Sequence, residues 1–482
     1  MTRTRYIFAM AAALLLAVLT CGCIEDGITT SAADQPAYST DTLKMGTVFT
    51  QDVTTTHRFV VYNRAGKGLN ISSIRMSGPN AGLFRLNVDG ISGTEFSNVE
   101  VRAKDSIFVM VEATLPANGG ELPVRIESKV EFVTNGVTSG IVVTADGQDV
   151  ERLRAQTVNS DAVFSTGKPY QVFDSLVVAP DATLTLRAGT RLYFHDGAAL
   201  IVRGRLIAEG TADNPVTLCG DRTGNVITDV TFDLMSRQWA GVQFTPTSTA
   251  NHLTHTNIRN TVYGVIVSGN GGKPNTPQLY LHNCRLRNSG DLVLEAYDAD
   301  VEAYGCEFAE AANGVILLSG GTHTFSQCTF ANYYLFAAIG GPAIQLSHLK
   351  ADDGTVNGGG VGTAADQATP LTRAIFGNCI IYGLGQDISH GDLSGTGVYL
   401  RHCLLKSNGS DDDNFISCLW DKDPLYYTVR EDYLFDYRLR NDSPAIGAGD
   451  PTLVGNATTD AYGLPRGATP DLGAYVHVPA TE

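Results

Sequence analysis

Cations are scarce in this chain. It carries 34 Lys and Arg against 50 Asp and Glu in 482 residues, a formal net charge of −16, and no Lys/Arg cluster offsets the excess locally. A surface of that sign repels nucleic acid and anionic membranes, which excludes nucleic-acid binding. Bilayer-spanning apolar runs are missing as well, since residues 7–20 form an apolar stretch too short to cross comfortably. Residues 43–148 hold no segment of helical periodicity. A disulfide framework is also disfavoured, because seven cysteines follow Cys23, an odd number at regular spacing. What is plentiful is glycine, 51 residues, roughly half again the usual share and a sign of many tight turns.

Residues 1–22 read as a leader, with Arg3 and Arg5 as its positive end and the apolar run after them. Its loss removes two positive charges and takes the mature chain from −16 to −18. The run ends in Leu19-Thr20-Cys21-Gly22-Cys23, and a small residue before a cysteine suits lipoprotein processing, with Cys23 taking the lipid. An ordinary cleaved secretion signal is the alternative. Glu25 and Asp26 follow at once, and this resembles the acidic export signal of Bacteroidetes-type lipoproteins. The resemblance implies a protein lipid-anchored in the outer membrane and exposed at the cell surface. Residues 23–42 read as a tether.

Residues 43–150 alternate as short strands around Phe59, Val61 and Ile71, then Ile107, Val109 and Val111, then Val130, Phe132, Ile141 and Val143. Turns at Asp89-Gly90 and Asn135-Gly136 separate them. The pattern fits an immunoglobulin-like β-sandwich and resembles the "choice-of-anchor" sandwiches of bacterial surface proteins. Asp41-Thr42-Leu43, Asp105-Ser106-Ile107 and Asp174-Ser175-Leu176 resemble Bacteroidetes-type O-glycosylation sites, which makes Thr42, Ser106 and Ser175 candidate acceptors.

From residue 157 the strands become shorter and the turns tighter. Asn283-Cys284-Arg285-Leu286, Gly305-Cys306-Glu307-Phe308 and Gln327-Cys328-Thr329-Phe330 recur at one even step. Asn378-Cys379-Ile380-Ile381 follows after a gap more than twice as long, and His402-Cys403-Leu404-Leu405 after a gap close to the first step. A period of roughly 22 residues is one coil of a parallel β-helix, with equivalent residues stacked along the axis. Each cysteine and the apolar residue two positions on face one side of a strand, the interior. Cys284, Cys306, Cys328, Cys379 and Cys403 therefore predict an inward ladder of free thiols; one cysteine per coil on a single wall does not surround a metal ion. The long step before Cys379 carries an excess centred on positions 350–370, either a functional loop or a solvated one. Together with Gly210-Thr211-Ala212-Asp213-Asn214-Pro215-Val216 and Trp239-Ala240-Gly241-Val242, residues 157–440 resemble the right-handed parallel β-helix of the pectin-lyase-like superfamily. In residues 441–482, Asn441-Asp442-Ser443-Pro444-Ala445-Ile446-Gly447, Asp460-Ala461-Tyr462-Gly463 and Asp471-Leu472-Gly473-Ala474-Tyr475 resemble the C-terminal segment of such surface proteins. This segment is expected to cap the open edge of the last coil.

That superfamily holds lyases, hydrolases, adhesins and inert stalks, so fold does not choose among them. The hydrolase elements Asn-Thr-Asp, Gly-His-Gly and Arg-Ile-Lys are not present. A lyase would need a base and a group that neutralises a uronate carboxylate. Lys350, Asp352, Asp353, His390 and Asp392, with Arg373 or Arg401, are the candidates, set against a plain charged loop. Asp411-Asp412-Asp413-Asn414 makes calcium conceivable, against an ordinary surface turn. His252 and His255, three apart in a strand, face opposite ways and do not suit zinc. Tyr333-Tyr334 and Tyr426-Tyr427 offer rings for sugars or for the core. The resulting expectation is a monomeric, non-catalytic surface lipoprotein that is glycan-binding, adhesive or structural. The alternative is a polysaccharide-degrading enzyme, a lyase before a glycoside hydrolase.

Overall fold

A computed structural model describes residues 27–165, 167–227, 230–269, 277–350, 356–357 and 370–480. Strands are the regular structure of the described residues, joined by turns and irregular segments, with only short 3₁₀ turns besides. They form two compact units, one running to residue 148 and one from residue 149, with residues 120–122 grouped with the second.

The first unit is an immunoglobulin-like sandwich. One sheet orders Ala37–Tyr38, His57–Tyr62, Ser106–Ala113, Phe84–Val88 and Ile91–Gly93, all antiparallel. The other orders Thr42–Phe49, Val137–Gln148, Val124–Thr134 and Leu69–Ser77, with Thr42–Phe49 joining parallel. Alternate residues Phe59, Val61, Val109 and Val111 of one sheet and Ile71, Val130, Phe132 and Ile141 of the other are buried in one core. The expected tether is built into this unit from Ile28 onward. Ile28 bridges to Gly68, and Asn135 Nδ2 donates to the carbonyls of Ser31 and Asp34 at 2.9 and 3.1 Å. Backbone groups that would otherwise need water are paired there, which holds the segment down.

The second unit is a parallel β-helix, its coils right-handed as parallel crossovers are. Coiling begins at Glu151–Val158, somewhat before the sequence boundary, because that strand pairs in parallel with Tyr170–Val178. Each full coil has three strands, for example Leu279–His282, Arg285–Ser289 and Leu294–Tyr297. These pair in turn with the equivalent strands of the next coil, Asp300–Tyr304, Glu307–Ala311 and Ile316–Ser319. Leu286, Phe308, Phe330, Ile381 and Leu405 stand in register inside. The Phe308 and Phe330 rings stack at 5.2 Å, and Phe325 on Phe376 at 5.2 Å.

The five predicted ladder cysteines are free and fully buried. Each thiol donates to a carbonyl two residues back or one coil below, as in Cys284 Sγ to Leu253 O at 3.2 Å and Cys403 Sγ to Phe376 O at 3.3 Å. The residue before each cysteine turns the corner with a left-handed backbone: Asn283, Gly305, Gln327, Asn378 and His402 all lie between φ 50° and 64°. Ser417-Cys418 repeats this at φ 56°, and Cys418 Sγ donates to Leu400 O at 3.4 Å, so the ladder has a sixth, half-buried rung. The long coil is enlarged at two corners rather than one, between Asn332 and Ile344 as well as between Ser347 and Leu371.

Candidate functional site

Residues after Trp420 leave the coil but do not lie only over its end. They run back along the outside of the face built from Arg285–Ser289, Glu307–Ala311, Thr329–Asn332, Ile380–Gly383 and Leu404–Leu405. Ala309, Ala331, Ile380 and Leu404 point outward from those strands yet are buried, packed against Tyr426, Tyr437, Leu439, Leu472 and Tyr475. Burying these apolar side chains outweighs covering the edge alone. Backbone bonds fix the register: Gly473 N donates to Asn378 O at 2.8 Å and Ala474 N to Thr329 Oγ1 at 2.9 Å. Asn378 also exchanges two 2.8 Å bonds with the backbone of Asp450.

The aspartates of the tail motifs hold this irregular chain together. Asp460 accepts from the N–H groups of Tyr462, Leu464 and Val476 at 2.8, 2.9 and 3.0 Å. Asp471 accepts from Gly447 and His477 at 2.8 Å each. Without a strand ladder, side-chain acceptors must satisfy the backbone donors, which is why Asp recurs in these motifs.

Under the tail lie two buried carboxyl groups of one strand. Glu307 is paired with Arg287 and accepts from the Tyr475 hydroxyl. Glu310 accepts from the Tyr437 hydroxyl and from Tyr333 N at 3.3 Å, while its Oε2 has no partner. Burial pushes the Glu310 carboxyl up to about 7. On the interior of another face, His323 is fully buried and its Nε2 meets Gly320 O at 2.9 Å; burial pushes it down to about 4.

At the edge of the tail the coil face opens into a cleft of about 250 Å³ lined by Asp233, Asn257, Arg259, Arg285, Arg287 and Asn288. Arg259 binds Asp233 at 3.1 Å. The Arg285 guanidinium lies 4.5 Å over the ring of Tyr462, a residue 49% exposed, and Arg438 stands 5.8 Å from the same ring. This is the cationic and aromatic concentration that the sequence reading missed. No repeat in the sequence marks it, because its residues meet only where the tail crosses the coil face.

The candidates read from sequence are dispersed. Cys23, Glu25, Asp26, Asp352 and Asp353 lie outside the described residues, as does the side chain of Lys350, whose backbone pairs with Val356. His390 Nδ1 meets Gly391 O at 2.7 Å, and Asp392 accepts from Ser394 N at 2.9 Å, a bond that holds its carboxyl below the usual range. Both are exposed and tied to their own loop. Arg373 is exposed and Arg401 lies 5.0 Å over Tyr399. Asp411 accepts from Ser417 N, Cys418 N and Trp420 Nε1, and Asp412 from Asn414 N and Phe415 N, so these carboxylates shape a turn. His252 and His255 contact different rings, Tyr280 at 5.2 Å and His282 at 6.3 Å. Tyr334 and Tyr426 are core residues, while Tyr333 stacks 6.1 Å from Tyr437. Thr42, Ser106 and Ser175 are half-buried on strands.

The class defined by these features is an all-β protein: a sandwich followed in sequence by a parallel β-helix strapped by its own C-terminal segment. No protein-family model and no curated protein matches the chain. Among solved structures it is similar to a family 123 glycoside hydrolase from Clostridium perfringens, studied for glycolipid glycan hydrolysis. The likeness has 8% identity and a TM-score of 0.17, and covers 23% of this chain and 25% of the hydrolase.

Proposed function

We propose that this chain is a non-catalytic surface lipoprotein, anchored through Cys23 and directed outward by Glu25 and Asp26, whose β-helix binds carbohydrate. Thr42, Ser106 and Ser175 are its proposed glycosylation sites. The observation that carries the binding reading is Tyr462, an exposed ring with guanidinium groups of Arg285 and Arg438 beside it. With guanidinium groups over its ring, Tyr462 presents its hydroxyl edge, and that hydroxyl and the fixed guanidinium donors around it meet the hydroxyl groups of a sugar. Catalysis by proton transfer asks for an acid and a base that both reach one linkage. Glu307 and Glu310 are closed under the tail by Arg287, Tyr475 and Tyr437, and His390 and Asp392 are spent on their own loop.

The test is a polysaccharide panel on the soluble form, reading binding together with release of unsaturated or reducing ends. Binding without product is expected, and Tyr462→Ala should weaken it. Steady release of unsaturated ends would overturn the non-catalytic reading, and no binding across the panel would overturn the carbohydrate one.

A further inference from the structure

Five arginines gather where the coil face meets the tail, in a chain of net charge −16. Register sets Arg259 beside Arg287 and Asn257 beside Arg285 in adjacent coils, so three guanidinium groups share the cleft. Two of these have carboxylates, Asp233 for Arg259 and Glu307 for Arg287. Arg285 has no ion pair among the described residues, and its Nε is buried without a hydrogen-bond partner. The row then continues across the tail. Arg438 lies 5.8 Å from the Tyr462 ring and 6.0 Å from that of Tyr427, and Arg440 lies 5.8 Å from Tyr427. Arg438 is held by Asp436 at 2.6 Å, whereas Arg440, like Arg285, has no ion pair among the described residues.

The order is therefore Arg285, Tyr462, Arg438, Tyr427, Arg440, a strip that alternates cations with rings. Cation–π contact relieves only part of the repulsion among neighbouring guanidinium groups. Two positive charges stay unmatched on a surface that is elsewhere acidic. Planar forks of this kind fit carboxylate or sulfate oxygens in pairs. The guanidinium groups already cover the ring faces, so a ligand meets the tyrosine hydroxyl edges, and an acidic peptide would use the guanidinium groups but bring no hydroxyl groups to those edges. A polymer of sugar rings bearing anions uses both. We infer that this strip binds an acidic glycan, its carboxylate or sulfate seated in the cleft against Arg285 and Arg259 and its hydroxyl groups against the hydroxyl edges of Tyr462 and Tyr427. The inference rests on the carbohydrate-binding reading and narrows it to a charge class.

The test titrates the full chain in mild detergent with four probes: hyaluronan hexasaccharide, chondroitin sulfate hexasaccharide, neutral cellohexaose and hexaglutamate. Tighter binding of at least one acidic hexasaccharide than of cellohexaose and hexaglutamate is expected, weakening with added salt. The hyaluronan and chondroitin sulfate arms distinguish carboxylate from sulfate as the anchoring group. Arg285→Gln should weaken that binding roughly tenfold to a hundredfold, the scale of a lost charge-assisted bond. The exposed Arg440→Gln should weaken it to a lesser degree, and it serves if the cleft variant does not fold. Equal affinity for cellohexaose would overturn the acidic assignment and leave carbohydrate binding standing. Hexaglutamate binding as tightly as the best glycan would overturn both in favour of a peptide surface. Binding by none of the three glycans would overturn the inference, and the wider polysaccharide panel then decides the parent reading separately.

Discussion

Raising the pH from acid to neutral should loosen the C-terminal strap through a single carboxyl group, Glu310. Its side chain is buried beneath Tyr437, and burial lifts its pKa from 4.5 to about 7. A carboxyl raised on folding contributes stability that is fully present below about 4.5 and lost as pH rises through 7. At about 1.4 kcal/mol per pH unit, that gap is worth roughly 3 kcal/mol. His323 acts in the opposite sense. Burial lowers it from 6.5 to about 4, so its contribution is present above 6.5 and fades, again by roughly 3 kcal/mol, as pH falls towards 4. The windows overlap with opposite signs, so in the wild type the two largely cancel between about pH 4.5 and 6.5. Glu310→Gln keeps the shape and an acceptor for Tyr437 but cannot ionise. Its stability relative to wild type should rise by roughly 3 kcal/mol between pH 4.5 and 8. Urea unfolding across that range measures the difference, and hydrogen exchange over residues 426–475 localises it to the strap. A wild-type-to-variant difference that stays constant across the range would refute the burial argument.

Cys306→Ala should cost only about 1 kcal/mol for one small buried group, and Cys306→Asp several times more as a buried charge; urea midpoints compare them. In the native state, Ellman's reagent should leave the five fully buried ladder thiols unlabelled while Cys418 reacts slowly, and prompt labelling of all six would contradict the coil register. Gly264→Ala should fail to accumulate as folded protein, because at φ +70° its new Cβ would lie 2.2 Å from the Leu292 carbonyl of the next coil; circular dichroism and yield report this. Cys23→Ala should move the protein from the membrane to the soluble fraction, whereas Cys21→Ala should not; retention under carbonate washing would refute the anchor.

The cysteine ladder was legible because a solenoid repeats its contacts. Positions one period apart must stack, so Cys284, Cys306 and Cys328 declare both the coil and the inward direction before any coordinates are seen. The period also explains what escaped. Cys418 follows Cys403 well before a full period has elapsed, on a shortened last coil, and so it breaks the spacing that marked the others. The alternation of Phe59 with Val61 and of Val130 with Phe132 likewise told the sandwich strands from the sequence alone.

The strap and the cationic strip had no such signature. Arg285 and Tyr462 lie many coils apart along the chain, and their contact occurs once, so no repeat announces it. What the sequence by itself determined was every contact that recurs with the coil period or the strand alternation: the sandwich core, the stacked Phe and Leu rows and the thiols. Tertiary structure alone decided where the tail lies. An irregular segment stapled by Asp460 and Asp471 can be placed only by the apolar face that it covers. That face, Ala309, Ala331, Ile380 and Leu404, comes together only after the coils have stacked.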